Sequence, residues 1–219
     1  MSPVPVPVII NNRNRLTWPR QMIVDIRRFG GEPIILDNAS TYAPLLDWYA
    51  SAPCEVIRLD SNVGHMAPWI TGQAVFQAVK RGLISYVVTD PDLDLSLLPN
   101  DTIQFLKHGY DLFPWTNKSA VGLRIDNLPD HYPKKEWIIG IEQGYWNTPL
   151  SHGFFNAPTD TTFAYYEINP RGANFYSAVR AGPPYAAEHK PWYANPATIT
   201  DEERYYVAHS NIGVHSNIG

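Results

Sequence analysis

Asp90-Pro91-Asp92-Leu93-Asp94 places three carboxylates at alternate positions directly after Ile84-Ser85-Tyr86-Val87-Val88-Thr89, a β-branched and aromatic run with the composition of a buried strand. In open α/β sheets ligands bind beyond the carboxyl ends of the strands, so acids at such an end are placed for use. Clustered oxygen ligands suit a hard divalent cation, Mg²⁺ or Mn²⁺, held by one or two carboxylates and shared with substrate phosphates. A single Asp here would read as a turn or helix cap, which Asp-Pro favours. Three at one strand end favour the cation.

The elements that must position this run repeat upstream of it. Residues 6–10 have the pattern of a first strand and end in Asn11-Asn12-Arg13-Asn14-Arg15. Thr17 then starts a helix with Pro19 in its first turn, Met22, Ile23, Ile26 and Phe29 at helical spacing, and Gly30-Gly31 at its close. Residues 33–36 form a second predicted strand ending at Asp37-Asn38, residues 42–50 a short helix, and residues 55–59 a third strand ending in Asp60-Ser61-Asn62-Val63-Gly64. A helix over 68–80 leads into the fourth strand. Polar strand ends at Asn11, Asp37, Asp60 and Asp90 recur at the length of a βα unit, which predicts an α/β fold whose first half is doubly wound. Neither G-x-G-x-x-G nor G-x-x-x-x-G-K-[ST] follows the first strand, which argues against the commonest dinucleotide and P-loop sites.

Beyond Pro99 the pattern is mixed: helices over 101–107 and 134–145, strands over 120–125 and 162–167, and a terminal helix over 201–209 capped by Thr200. No linker separates a second domain, so residues 1–219 read as one unit, with a nucleotide-binding half over 1–98 and an acceptor-side half and tail over 99–219. The tail repeats His-Ser-Asn-Ile-Gly, at 209–213 and 215–219, and reads as a loosely held terminus. Hydrophobic residues make up 44% and charged residues 17%, a globular balance. A formal charge of −4 gives no basic footprint for nucleic acid. No apolar stretch approaches the ~20 residues of a membrane span. The amino-terminal residues have no basic signal-peptide region, and Cys54 stands alone, so a cytoplasmic location is expected.

A Rossmann-like nucleotide-binding half, an Asp-x-Asp motif at the fourth strand end and a mixed second half together resemble the metal-dependent glycosyltransferases of the GT-A fold, over nearly the whole chain. The resemblance implies an open mixed sheet flanked by helices. It also implies transfer of a hexose from a UDP-sugar, with UDP-glucose the first donor to try, to an unknown acceptor hydroxyl of a saccharide or other molecule. Asp90 and Asp92 fall on the family's metal motif, with Asp94 an additional acid, and Asp90 is also placed to contact the ribose. Asn11, Asn12, Arg13, Arg15 and Asp37 fall on the nucleotide-contacting strand ends, Asp37 at the position that receives the uracil imide, and Asn62 and Gly64 near base and ribose. His189-Lys190-Pro191-Trp192 is similar to a late segment of some members, which implies His189 as metal ligand and Lys190 as phosphate contact, although more residues separate the two in those enzymes. His209 is the competing ligand.

If the reaction inverts, a carboxylate must deprotonate the acceptor. Asp160, in Pro158-Thr159-Asp160-Thr161, is the first candidate and Glu142 the second; a turn role for Asp160 carries equal weight. Asp126 reads as a turn residue before a ligand to sugar hydroxyls. Trp115, Trp146, Phe154, Phe155 and Trp192 belong to the core or to an acceptor cleft. Two further functions remain open. A phosphohydrolase would need the acidic motif after the first strand, and a non-catalytic carbohydrate or sugar-nucleotide module would need no base.

Overall fold

The computed structural model describes residues 4–210. Its elements are β1 (Val6–Asn12), α1 (Thr17–Arg28), β2 (Gly31–Asp37), α2 (Ala43–Tyr49), β3 (Glu55–Arg58), α3 (Ala67–Ile70), α4 (Gln73–Val79), β4 (Ser85–Thr89), β5 (Leu93–Asp94), α5 (Thr102–Leu112), β6 (Lys118–Leu123), α6 (Lys135–Tyr145), β7 (Phe154–Asn156), β8 (Ala164–Glu167), β9 (Ala178–His189) and α7 (Asp201–His209). They form a nine-stranded mixed sheet in the order β3-β2-β1-β4-β8-β6-β9-β5, with β7 also on β9. The first four strands are parallel. β8 joins β4 and β6 antiparallel, which fuses the two halves of the chain into one sheet.

Alternation along β1 divides the core. Val8 and Ile10 face α1 and α5 through Met22, Ile23, Ile26, Ile103 and Leu106, while Ile9 faces Ala67, Ala74 and Ala78 of α3 and α4. Each of the fully buried Val, Ile, Leu and Met side chains contributes about 1.5–3 kcal/mol. β1, β2 and β4 are buried on both faces and so read as continuous apolar runs, whereas β3, at the sheet edge, is partly exposed.

The expected elements differ from the observed ones where local chemistry intervenes. The helix over 68–80 is two helices, because Gly72 takes φ +71 between them. The helix at 101–107 continues to Leu112, and the strands expected at 120–125 and 162–167 occupy 118–123 and 164–167. Gly31 opens β2 rather than closing α1. β9 escapes sequence reading altogether, since Gly182-Pro183-Pro184 interrupts it. Its register with β6 jumps from Val121↔Ala181 to Gly122↔Ala186, so residues 182–185 bulge from the ladder. Gly122 makes this bend possible: a Cβ there would sit 2.6 Å from the Ala181 carbonyl oxygen and 2.5 Å from the Trp146 ring. Among the described residues, no helix is long and apolar enough to cross a membrane. The tail repeat lies outside the described residues from Asn211 onward.

Candidate active site

The end of β9 is what completes the acidic motif. β5 pairs antiparallel with β9, setting Leu93 opposite His189 and Asp94 opposite Glu188, and the Lys190 amide donates to the Asp92 carbonyl at 2.9 Å. Two segments almost a hundred residues apart in sequence are thereby locked side by side. His189 Nε2 comes to 3.6 Å from Asp92 Oδ1, and its ring rests edge-on against Trp192.

The three aspartates do not share one face, because β4 ends at Thr89 and β5 begins only at Leu93. Asp90 accepts a 2.6 Å bond from the Thr161 hydroxyl. Burial, and then the neighbouring Asp92 charge, push its carboxyl up to about 7. Asp94 accepts from the Ser96 amide at 3.0 Å and faces Lys190 Nζ at 3.7 Å. Burial pulls its carboxyl upward, but the Ser96 bonds and the lysine charge outweigh this and hold it below its ordinary value. Among the described residues no group of three His, Cys, Asp or Glu side chains is set around one point. Asp92 and His189 are the pair that converges. A carboxylate oxygen and an imidazole nitrogen at this separation fit two positions around a divalent ion that completes its shell with phosphate oxygens and water.

Two clefts flank the motif. The first, of about 310 Å³, is lined by Asp92, Arg15, Trp18, Lys190, Tyr193 and Glu203 among others. Lys190 bonds Glu188 at 3.1 Å and lies 4.8 Å above the Trp18 ring. Arg15 is 3% exposed, pairs with Glu203 and stacks 3.6 Å over Tyr206. Burial pulls its pKa downward, but the Glu203 bond and the charges of Asp92 and Glu203 outweigh this and leave it raised. The second cleft, of about 430 Å³, is lined by Asp90, His189, Asp160, Glu142, Arg180, Tyr145, Tyr176 and Trp192 among others. Both expected base candidates therefore face the same space as the motif.

Their surroundings separate them. Glu142 is buried and bonds Arg180 Nη1 at 2.8 Å. Burial raises its pKa, against the opposing arginine. Arg180 also donates to the Pro158 carbonyl and the Thr159 hydroxyl, so the pair braces the loop that carries Asp160. Asp160 is exposed, and its backbone carbonyl accepts a 2.5 Å bond from Lys118 Nζ. Lys118 is fully buried beneath that loop, 3.7 Å over Phe175; burial, opposed by Asp160 and Asp90, lowers its amine to about 7.

The expected nucleotide contacts mostly brace strand ends against one another. Asn11 Nδ2 donates to the His65 carbonyl at 3.1 Å, Asn12 Nδ2 to Arg15 O at 2.8 Å, and Arg13 to Asn38 O at 3.1 Å. Asn62 Oδ1 receives the Gly64 amide at 3.0 Å, and the Gly64 carbonyl receives Asn38 Nδ2 at 2.8 Å. Asp37 is fully buried and accepts from Tyr49, the Ser40 amide and Arg58, so its carboxylate is engaged within the protein. The side-chain oxygens of Asn11 and Asn12 are shielded from solvent and lack a hydrogen-bond donor, which leaves acceptor capacity at the end of β1. Of this set, Arg15 and Lys190 line the first cleft.

His209 stacks on Tyr205 in α7 and lines neither cleft. Asp126 is held by Arg124 in a two-bond fork. Of the aromatic candidates, Trp192 lines the second cleft, Phe154 is core, Trp146 packs on Phe155, and Trp115 is exposed beside Phe113. Lys118, Arg180, Tyr176, Tyr193 and Glu203 were not expected from sequence. For Arg180 a signal existed, a single charge within Ala178-Val179-Arg180-Ala181; Lys118, between Thr116-Asn117 and Ser119, carried none. The sequence matches no known protein-family model and no curated protein.

Proposed function

We propose that this protein is a metal-dependent glycosyltransferase that moves a hexose from a UDP-sugar to a hydroxyl acceptor. The observation that carries the reading is the convergence of Asp92 and His189 beyond the carboxyl ends of parallel strands, between one cleft with two cations and another with an exposed carboxylate. Asp92 and His189 would hold Mn²⁺ or Mg²⁺, which when bound supplies Lewis-acid stabilisation to a leaving diphosphate.

The chain's own residues divide the remaining work. Lys190 and Arg15 face the first cleft, where negative charge grows on the leaving phosphate as the anomeric C–O bond breaks. Asp160 takes the proton from the acceptor hydroxyl as that oxygen bonds the anomeric carbon. Glu142 and Arg180 hold the Asp160 loop in place, and the exposed Tyr176 offers a flat face to a sugar ring. Asp90, half-buried and bonded to Thr161, shapes the turn between the clefts.

UDP release from a panel of UDP-sugars, beginning with UDP-glucose, tests the reading in the presence of Mn²⁺. Metal-dependent release that Asp92→Ala abolishes in a folded protein supports it. Absence of both turnover and UDP binding overturns it. Retained glycan binding with no turnover in either protein would instead identify a binding module.

A further inference from the structure

α7 is the last described element and contributes Glu203 to the lining of the first cleft; it is attached in an unusual way. Its only buried side chain is a carboxylate, Glu202, which accepts from the Leu16 amide at 2.9 Å, from the Thr17 amide at 3.2 Å and from the Thr17 hydroxyl at 2.6 Å. Glu203 forks onto Arg15, Tyr206 lies beneath that guanidinium, and Tyr205 bonds Thr41 at 3.0 Å. No apolar side chain of the helix is fully buried. Apart from Tyr205 against Tyr42, with ring centres 5.0 Å apart, these contacts are polar, and a polar contact can be exchanged for one to a competing anion.

The second observation concerns what Glu203 occupies. Arg15 and Lys190 are the cationic side chains lining this cleft, and Asp92 and Glu203 the carboxylates. While Glu203 neutralises Arg15, the cleft offers one less positive charge to an anion. A phosphate makes the same forked contact with a guanidinium as a carboxylate does.

We propose that α7 is an acidic latch: Glu203 occupies the guanidinium edge of Arg15 that a nucleoside diphosphate takes, so the donor binds by displacing the chain's own carboxylate. The proposal rests on the donor reading above. It makes Arg15 a residue whose availability is set by α7, and it accounts for a buried arginine facing a cleft yet already paired.

The test compares the full-length wild type with Glu203→Gln by calorimetric titration of UDP, and separately of inorganic pyrophosphate, each with Mn²⁺. Glu203→Gln is expected to bind both ligands at least about five-fold more tightly, and in an Arg15→Met background the same change is expected to have no effect. Hydrogen exchange of residues 201–209 in the wild type is expected to rise on addition of UDP. Binding to the wild type that Glu203→Gln leaves unchanged or weakens overturns the latch alone, as does UDP-induced protection of residues 201–209. If neither ligand binds either protein, the donor reading falls and the latch with it.

Discussion

Replacing Glu142 by Gln separates a structural carboxylate from a chemical one. The Glu142 and Arg180 side chains are 8% and 7% exposed and meet at 2.8 Å. At an effective dielectric of ~20 their gross attraction is about 6 kcal/mol, which desolvation of the two ions largely offsets. Removing one partner is costlier than that net value suggests, because the other charge stays buried; losses of about 3–5 kcal/mol are typical. Arg180 keeps the Pro158 carbonyl at 2.9 Å, the Thr159 hydroxyl at 2.8 Å and the Tyr145 ring at 4.3 Å. The low end, about 3 kcal/mol, is therefore expected. With a urea m-value of ~3 kcal/mol/M this moves the unfolding midpoint down by about 1 M. Urea titration followed by tryptophan fluorescence measures the shift, and the apolar double variant Glu142→Leu with Arg180→Met should recover most of it. Asp160→Asn, at an exposed position, should leave stability within about 0.5 kcal/mol while cutting turnover by roughly 10²–10⁴-fold. Wild-type stability with lost turnover in Glu142→Gln, or full turnover in Asp160→Asn, would refute this division of roles.

The motif itself should respond unevenly: Asp92→Ala and His189→Ala each abolish Mn²⁺-dependent UDP binding, whereas Asp94→Asn changes it less than about three-fold because Asp94 already serves Ser96 and Lys190. Equal losses at Asp92 and Asp94 in calorimetric titration would contradict that geometry. Lys118 has its amine lowered to about 7 by burial, against 10.5 for the exposed group. Between those values the unfolded chain binds more protons than the folded one, so this site's contribution to stability rises with pH through that window and is least favourable below pH 7. Wild-type stability minus that of Lys118→Met should climb between pH 7 and 10, and parallel curves would rule the linkage out. Gly122→Ala forces a methyl against the Ala181 carbonyl and Trp146, which should cost about 1–3 kcal/mol and weaken Mn²⁺-dependent binding by shifting β9 and His189. A variant as stable as wild type in urea would show that the strand accommodates the methyl.

The first half of the fold was legible because β1, β2 and β4 are buried on both faces and all four strands stop near polar residues; β1 to β4 stand where apolar runs end in Asn11, Asp37, Asp60 and Asp90. The run of Asp90, Asp92 and Asp94 suggested three acids gathered at one cation, an arrangement that alternate positions deliver only along an uninterrupted strand. The chain turns between Thr89 and Leu93, so the same spacing sends the carboxylates to Thr161, towards His189, and to Ser96. Which acid meets the histidine is fixed by the β5–β9 register, a contact between distant segments that local periodicity does not encode.

A similar limit governs α7 and β9. Asp201-Glu202-Glu203 reads locally as an acidic first turn that complements a helix dipole, yet Glu202 satisfies amides and Glu203 a guanidinium 185–188 residues away. The residues that join the site's two halves, namely His189, Lys118, Arg180 and Glu203, all act on partners fixed by tertiary register. A charge such as Arg180 among apolar neighbours needs a partner; only the fold supplied which one. Lys118 beneath Asp160 and Glu203 upon Arg15 thus follow one rule. A buried charge sits where the opposing charge or carbonyl is already held by a different element, so packing, and not sequence spacing, determines which functional group is left exposed to a ligand.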